Sequence, residues 1–180
     1  MNPRLLVLAS VAVPLSSIAI AALLSNWFNP LENALSDLGH AARSSVAAVF
    51  NGGLVFGGLL TYTVAVTSRQ TRRSYNMLLA LTAVFLILIG VYDEIYGRLH
   101  FAVSVAFFTG TMIFMAWITV KETSKVIRAY SVSALLIELA AWIIYFMYRI
   151  PRGAAIPELI SVASFTPLYI YIYSRGNQHA

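Results

Sequence analysis

The sequence predicts an all-α polytopic membrane protein: a bundle of six transmembrane helices with a short amphipathic helix on its outer face. Three observations carry this reading. Of the 180 residues, 59% are hydrophobic and only 11% charged, whereas a soluble domain has about 25% charged and 45–50% apolar residues. The mean hydropathy is +0.78, so the chain lacks the polar surface that a water-soluble enzyme needs. The apolar residues also fall into six continuous runs, most of them near the ~20 residues that cross a bilayer. Continuous rather than alternating runs indicate helices, and in lipid only helices and closed barrels satisfy the backbone. Residues 1–180 are read as a single integral membrane domain. With no cysteine in the chain, disulfides, thiolate metal sites and cysteine nucleophiles are excluded together.

The first run, Leu5–Leu24, starts after Arg4 and resembles a signal peptide in its first half. It continues to Leu24 without a charge, so a retained span is expected. The Ser25–Arg43 connection is the longest. Asn29 suits a helix cap, Pro30 the first helical position, and Glu32 the acid of a capping box. Leu31, Ala34, Leu35 and Leu38 follow at helical spacing and Gly39 can end the turn. This predicts an amphipathic helix over Pro30–Leu38, lying on the outer surface or tucked over the bundle, with Trp27 and Phe28 at headgroup level. The second run, Ser45–Thr67, carries a Gly53/Gly57 pair that lets another helix approach closely. Asn51 is placed to hydrogen-bond across the bundle. The third, Met77–Tyr92, is short and can draw on the polar Asp93–Arg98 connection. Leu99–Val120, Ala129–Met147 and Ala154–Tyr173 complete the six, and Pro14 and Pro167 are expected to kink the first and last.

Orientation follows from the basic residues. Eight of them (Arg4, Arg69, Arg72, Arg73, Lys121, Lys125, Arg128 and Arg175) fall on one side, and four (Arg43, Arg98, Arg149 and Arg152) on the other. The positive-inside rule puts both termini in the cytoplasm of a cell that holds the protein in its cell membrane. The net charge of +5 sits in short runs between spans, which reads as topology rather than as a nucleic-acid surface.

Polar residues gather on the predicted outer side. Asp37 and His40 come from the first connection, Asp93, Glu94, Arg98 and His100 from the second, Glu158 from the third, and Asn51 from the second span. Three readings fit them. Histidine and carboxylates could form a metal or hydrolytic site, although no HExxH-type spacing links them. His40 and His100 could be axial haem ligands from different segments. Or the group is a salt-bridged rim that locks loops onto helix ends. No cofactor is predicted. Asp37 and His100 are expected in one hydrogen-bonded assembly, and Glu158 in a first helical turn where an acid favours the dipole. Glu138 lies near the middle of the fifth run. An ionised acid there is expensive, so it should face the bundle and be paired or protonated. Ser16, Ser17, Thr82 and Ser104 are candidate partners. Glu138 reads either as a proton-handling carboxyl or as a neutral acid joining helices.

The run Asn29-Pro30-Leu31-Glu32-Asn33-Ala34-Leu35-Ser36-Asp37-Leu38-Gly39, followed by Phe50-Asn51-Gly52-Gly53-Leu54, Gly97-Arg98-Leu99-His100-Phe101 and Gly153-Ala154-Ala155-Ile156-Pro157-Glu158, resembles the DUF998 family of small prokaryotic membrane proteins. The likeness covers nearly the whole chain, and Ser-Asp-Leu-Gly is its most specific part. A fainter likeness is to the Frag1/DRAM/Sfk1 membrane proteins, which have a similar element in their first outer loop. The resemblance implies six helices and important outer elements, and it supplies no reaction.

The residues are compatible with small-solute, proton or lipid handling at an outward-facing polar site. The alternatives are a membrane enzyme acting on a lipid headgroup through the outer carboxylates and histidines, and a non-catalytic accessory subunit of a membrane complex. The expected partners are membrane lipids and a second copy or a larger membrane complex, not nucleic acid. The orientation is testable because the chain has no cysteine. Ser36→Cys is expected to be labelled from outside the cell by a membrane-impermeant maleimide, and labelling only from the cytoplasmic side would reverse the topology.

Overall fold

The protein, described over residues 2–175 by a computed structural model, is built of α1 (Pro3–Leu23), α2 (Ala47–Thr67), α3 (Arg73–Val91), α4 (Arg98–Lys121), α5 (Lys125–Tyr148) and α6 (Ala155–Arg175). All six are long and apolar enough to cross a membrane. Two short 3₁₀ helices, Leu35–Gly39 and Glu94–Tyr96, sit in the first and second connections at the same end of the bundle. We call this the capped end and the opposite one, which holds Arg69, Arg72 and Lys125, the basic end.

The helices follow the apolar runs closely, with differences at their starts. Helix α3 begins at Arg73 and ends at Val91, so it gains its length at the basic end. It borrows nothing from Asp93–Arg98, which forms a separate turn. Asp93 caps that turn by accepting the Ile95 amide at 2.8 Å.

The predicted amphipathic α-helix over Pro30–Leu38 is replaced by turns and a five-residue 3₁₀ helix. Asn29 accepts the Leu31 amide at 3.0 Å, and its own amide donates to the Asn33 side chain at 2.9 Å. It therefore closes a local turn instead of capping a helix. Glu32 faces Arg152 at 3.6 Å on the exposed rim and takes no part in a capping box. The physical reason is how tightly this segment is folded into the bundle. The three-residue repeat of a 3₁₀ helix puts Leu35 and Leu38 on one side, and both are buried. Main-chain bonds then stitch the segment to the last connection: Gly153 donates to Leu31 O and Ala155 to Asn33 O, each at 3.0 Å. Ser36 is buried as well, so the exposed Ala42 is the position to label for topology.

Packing divides along the bundle axis. The capped half buries Ala21, Leu35, Leu38, Phe50, Leu54, Ile89 and Phe107 together, whereas the basic half is centred on Tyr75, Leu79, Phe114, Tyr169 and Tyr173. Helices α1 and α2 are joined by close approach. A Cβ on Gly53 would overlap the Ser17 side chain, and one on Gly57 would lie 2.6 Å from Pro14. Helix α5 differs, since only Ser131, Ala134 and Glu138 are buried along it.

The glycine contacts predict an asymmetric mutational response. Gly57→Val should destabilise the fold by about 1–3 kcal/mol through overpacking against Pro14. Gly52→Ala, whose Cβ meets nothing within 4 Å, should be nearly neutral. Thermal unfolding in detergent compares them, and equal melting temperatures would contradict the α1–α2 packing.

Candidate functional site

The polar side chains of the capped end are positioned by the 3₁₀ cap and the helix ends beneath it. Glu158, in the first turn of α6, is buried and accepts the Leu35 amide through Oε2 at 2.7 Å. The acid thus does more than complement a helix dipole: it pins the cap to α6. Asn51, one turn into α2, donates to Gly39 O at 2.8 Å and holds the other end of the same 3₁₀ helix. Between these anchors Ser36 donates to Glu94 Oε1 at 2.5 Å, joining the two 3₁₀ segments. The same Glu94 oxygen lies 3.3 Å from His100 Nε2. On its other side the His100 ring meets Tyr92 O through Nδ1 at 2.7 Å, and Ser104 Oγ is 3.4 Å from Nε2.

The expected assembly of Asp37 with His100 is corrected in one respect. Asp37 spends Oδ2 on the Ala34 amide at 2.8 Å, within its own turn. Its neighbour Ser36 makes the connection through Glu94 instead. Asp93 caps its own turn, and Arg98 is exposed at the start of α4. His40 ends the first 3₁₀ helix, and its buried Nδ1 has no hydrogen-bond partner among the described residues.

These groups head a cleft of about 650 Å³ between α4 on one side and α5 and α6 on the other. Its head is lined by Ser36, Glu94, His100 and Glu158, with Arg149 at the rim. Further along the helices its walls are Phe101, Val105, Phe108, Met112, Trp142 and Phe146. Phe101, Val105 and Phe146 are 58%, 43% and 48% exposed, so the cleft opens sideways on an apolar flank of the bundle. A narrower cavity of about 110 Å³ runs inside the bundle toward Ser10 and Tyr169. Ser36, Ser104, Phe108 and Glu158 border both spaces.

The donor geometry limits the chemistry. Ser36 donates to the Glu94 carboxylate and not to His100, so these three groups do not stand in the Ser–His–acid order of a hydrolytic triad. His40 lines neither cavity, and both ring nitrogens of His100 face other oxygens. The two histidines are therefore not disposed as a pair of axial haem ligands. No group of three or more histidine, aspartate or glutamate side chains among the described residues could hold a metal ion.

Glu138 is fully buried and faces the bundle, with a partner that sequence reasoning did not name. Thr111 of α4 donates to its Oε1 at 3.0 Å while also reaching Phe108 O at 2.7 Å. Glu138 Oε2 has no hydrogen bond among the described residues, and Ser161 of α6 lies beside the carboxyl. One turn on, Trp142 donates to Ser161 Oγ at 2.9 Å. Glu138 makes no bond with Ser16, Ser17, Thr82 or Ser104. Sequence reasoning also left out Ser36 and Trp142 as lining residues. The first sits inside Ser-Asp-Leu-Gly, and the second lies four residues after the buried acid, on the same helix face.

Six apolar helices, with a side cleft that has a polar head and apolar walls, define a small polytopic membrane protein. The chain belongs to the family described as Protein of unknown function (DUF998), whose model matches residues 7–173. No curated protein and no solved structure matches it significantly. The fainter likeness to the Frag1/DRAM/Sfk1 proteins finds no such support.

The bond between α4 and α5 makes a quantitative prediction. A double-mutant cycle of Thr111→Val with Glu138→Leu should return a coupling of about 0.6 kcal/mol, the average for hydrogen bonds between membrane helices, and no more than about 1.7 kcal/mol. Zero coupling in reversible detergent unfolding would show that the two groups do not hold the helices together.

Proposed function

We propose that this protein binds a membrane lipid in the cleft between α4 and α5, with the lipid head beneath the 3₁₀ cap. The carrying observation is the cleft itself: polar at one end, apolar along the helices, and open sideways through Phe101, Val105 and Phe146. A water-soluble ligand would not require an apolar side opening, whereas a lipid can enter from the bilayer with its chains already in hydrocarbon. The head region holds ionisable groups that fix a headgroup through hydrogen bonds, and the aromatic walls supply dispersion contacts for the chains. In this reading the protein sits in the cell membrane with both termini in the cytoplasm. The basic residues at the ends of α1, α2, α3, α4 and α6 support that orientation. The bound lipid then belongs to the outer leaflet, which suits a lipid-handling protein that holds, presents or senses its ligand.

The test is retention of lipid through purification. Native mass spectrometry of the protein extracted in mild detergent is expected to show one phospholipid per chain. Val105→Trp, which fills the cleft, should remove it. Ile113→Trp, on an exposed stretch of α4 outside the cleft, should leave it in place. A wild-type protein free of lipid, or equal retention in both variants, would overturn the proposal.

A further inference from the structure

We infer that the head of the cleft recognises a primary ammonium group, so that the ligand is an amine-headed phospholipid of the phosphatidylethanolamine type; this rests on the lipid-binding reading above. Glu158 is the starting point. It is only 8% exposed, and Oε2 is committed to the Leu35 amide. Its other oxygen makes no hydrogen bond among the described residues, yet is not sealed in, and the residue lines the cleft. That oxygen is an acceptor presented to the cleft and committed to no protein donor, so a ligand that donates there takes the place of water.

The surroundings select the sign and the shape of that donor. Glu94 lines the same head, and the carboxylates of Glu94 and Asp37 both lie within electrostatic reach of Glu158. Three acids so placed repel one another in a poorly solvated site. The Leu35 amide and the N-terminus of α6 offset part of this on Glu158, and His100 faces Glu94. Among the described residues, the only arginine or lysine lining the cleft is Arg149, exposed at the rim with its guanidinium over the Tyr145 ring at 5.5 Å. Negative groups at the head and a guanidinium at the mouth complement a zwitterion whose ammonium goes in first and whose phosphate stays at the rim. A primary ammonium has three N–H donors, enough for Glu158, Glu94 and the Ser36 hydroxyl oxygen. The acyl chains then run along Phe101, Val105, Phe108, Met112 and Trp142.

This chemistry discriminates among headgroups. A quaternary choline ammonium has the charge but no N–H, so the acceptors stay unpaired. A glycerol head has no charge for the acids, and a serine head brings a further carboxylate against them.

The experiment is a competition on delipidated full-length protein. Equal amounts of dioleoyl phosphatidylethanolamine, phosphatidylcholine, phosphatidylglycerol and phosphatidylserine are offered in detergent and binding is read by native mass spectrometry. The ethanolamine lipid is expected to be preferred by roughly tenfold over each of the others. Glu158→Gln keeps an acceptor for the Leu35 amide and should lower that preference to near unity while phosphatidylcholine binding persists. Glu94→Gln should act in the same direction, and serves if Glu158→Gln melts early. Equal binding of ethanolamine and choline lipids by the wild type would overturn the amine inference and leave the cleft reading standing. No binding of any phospholipid would overturn both. If free ethanolamine displaced the lipid as well as phosphatidylethanolamine does, the ligand would be a soluble amine and the phospholipid assignment would fail.

Discussion

Everything in this fold depends on a constraint set by its solvent. Hydrocarbon chains are as apolar as leucine, so lipid provides no hydrophobic push to bring helices together. Association must come from close packing and from hydrogen bonds, and the bundle uses the two means in different places. Helices α1 and α2 meet at Gly53 and Gly57, where Ser17 and Pro14 occupy the space a side chain would need. Helix α5 contains no glycine and buries only Ser131, Ala134 and Glu138. It is tied to the rest by Ser131 donating to Met115 O at 2.6 Å, by Thr111 donating to Glu138, and by Trp142 donating to Ser161. Three of the bonded residues of α5, at positions 131, 138 and 142, form a polar stripe along one helix face, while Arg128 and Tyr130 bond to α4 and α6 nearer the basic end.

The cleft follows from that division. A helix held by a stripe of bonds need not pack along its full length, and near the capped end α5 stands off from α4. The gap is bordered by Trp142 along α5 and by Ala34 and Ser36 at the cap. The cap is held by bonds to three elements: Glu158 of α6 at Leu35, Asn51 of α2 at Gly39, and Glu94 of the second connection at Ser36. The acids that fasten the roof also line the chamber beneath it. In the proposed reading, structural and binding roles coincide in the same carboxyl groups, and a substitution there is informative only when it preserves the hydrogen bond to the cap.

The six spans were legible from the apolar runs alone, because length and continuity are all a bilayer asks of a helix. The close approach at Gly53 and Gly57 was legible for a similar reason, since the spacing puts both on one helix face. So was the inward direction of Glu138, because an acid at that depth has nowhere else to go. The cap was misread. Capping residues and a helical leucine spacing predicted an α-helix over Pro30–Leu38, but those local signals are weak in a short segment. Burial of Leu35 and Leu38, together with main-chain bonds to Gly153 and Ala155, outweighed them.

What the sequence by itself determined is the solvent this chain is made for, the number of its spans and which side chains cannot face lipid. Each of these depends on transfer free energy, which is a property of residues and short runs. What the tertiary structure alone decided is who meets whom: Thr111 and not Ser104 against Glu138, Ser36 through Glu94 and not Asp37 toward His100, and Glu158 against an amide more than a hundred residues away. Hydrogen bonds reach about 3 Å. Which partner lies within that reach depends on the rotation and depth of each helix against its neighbours, and no single segment encodes it.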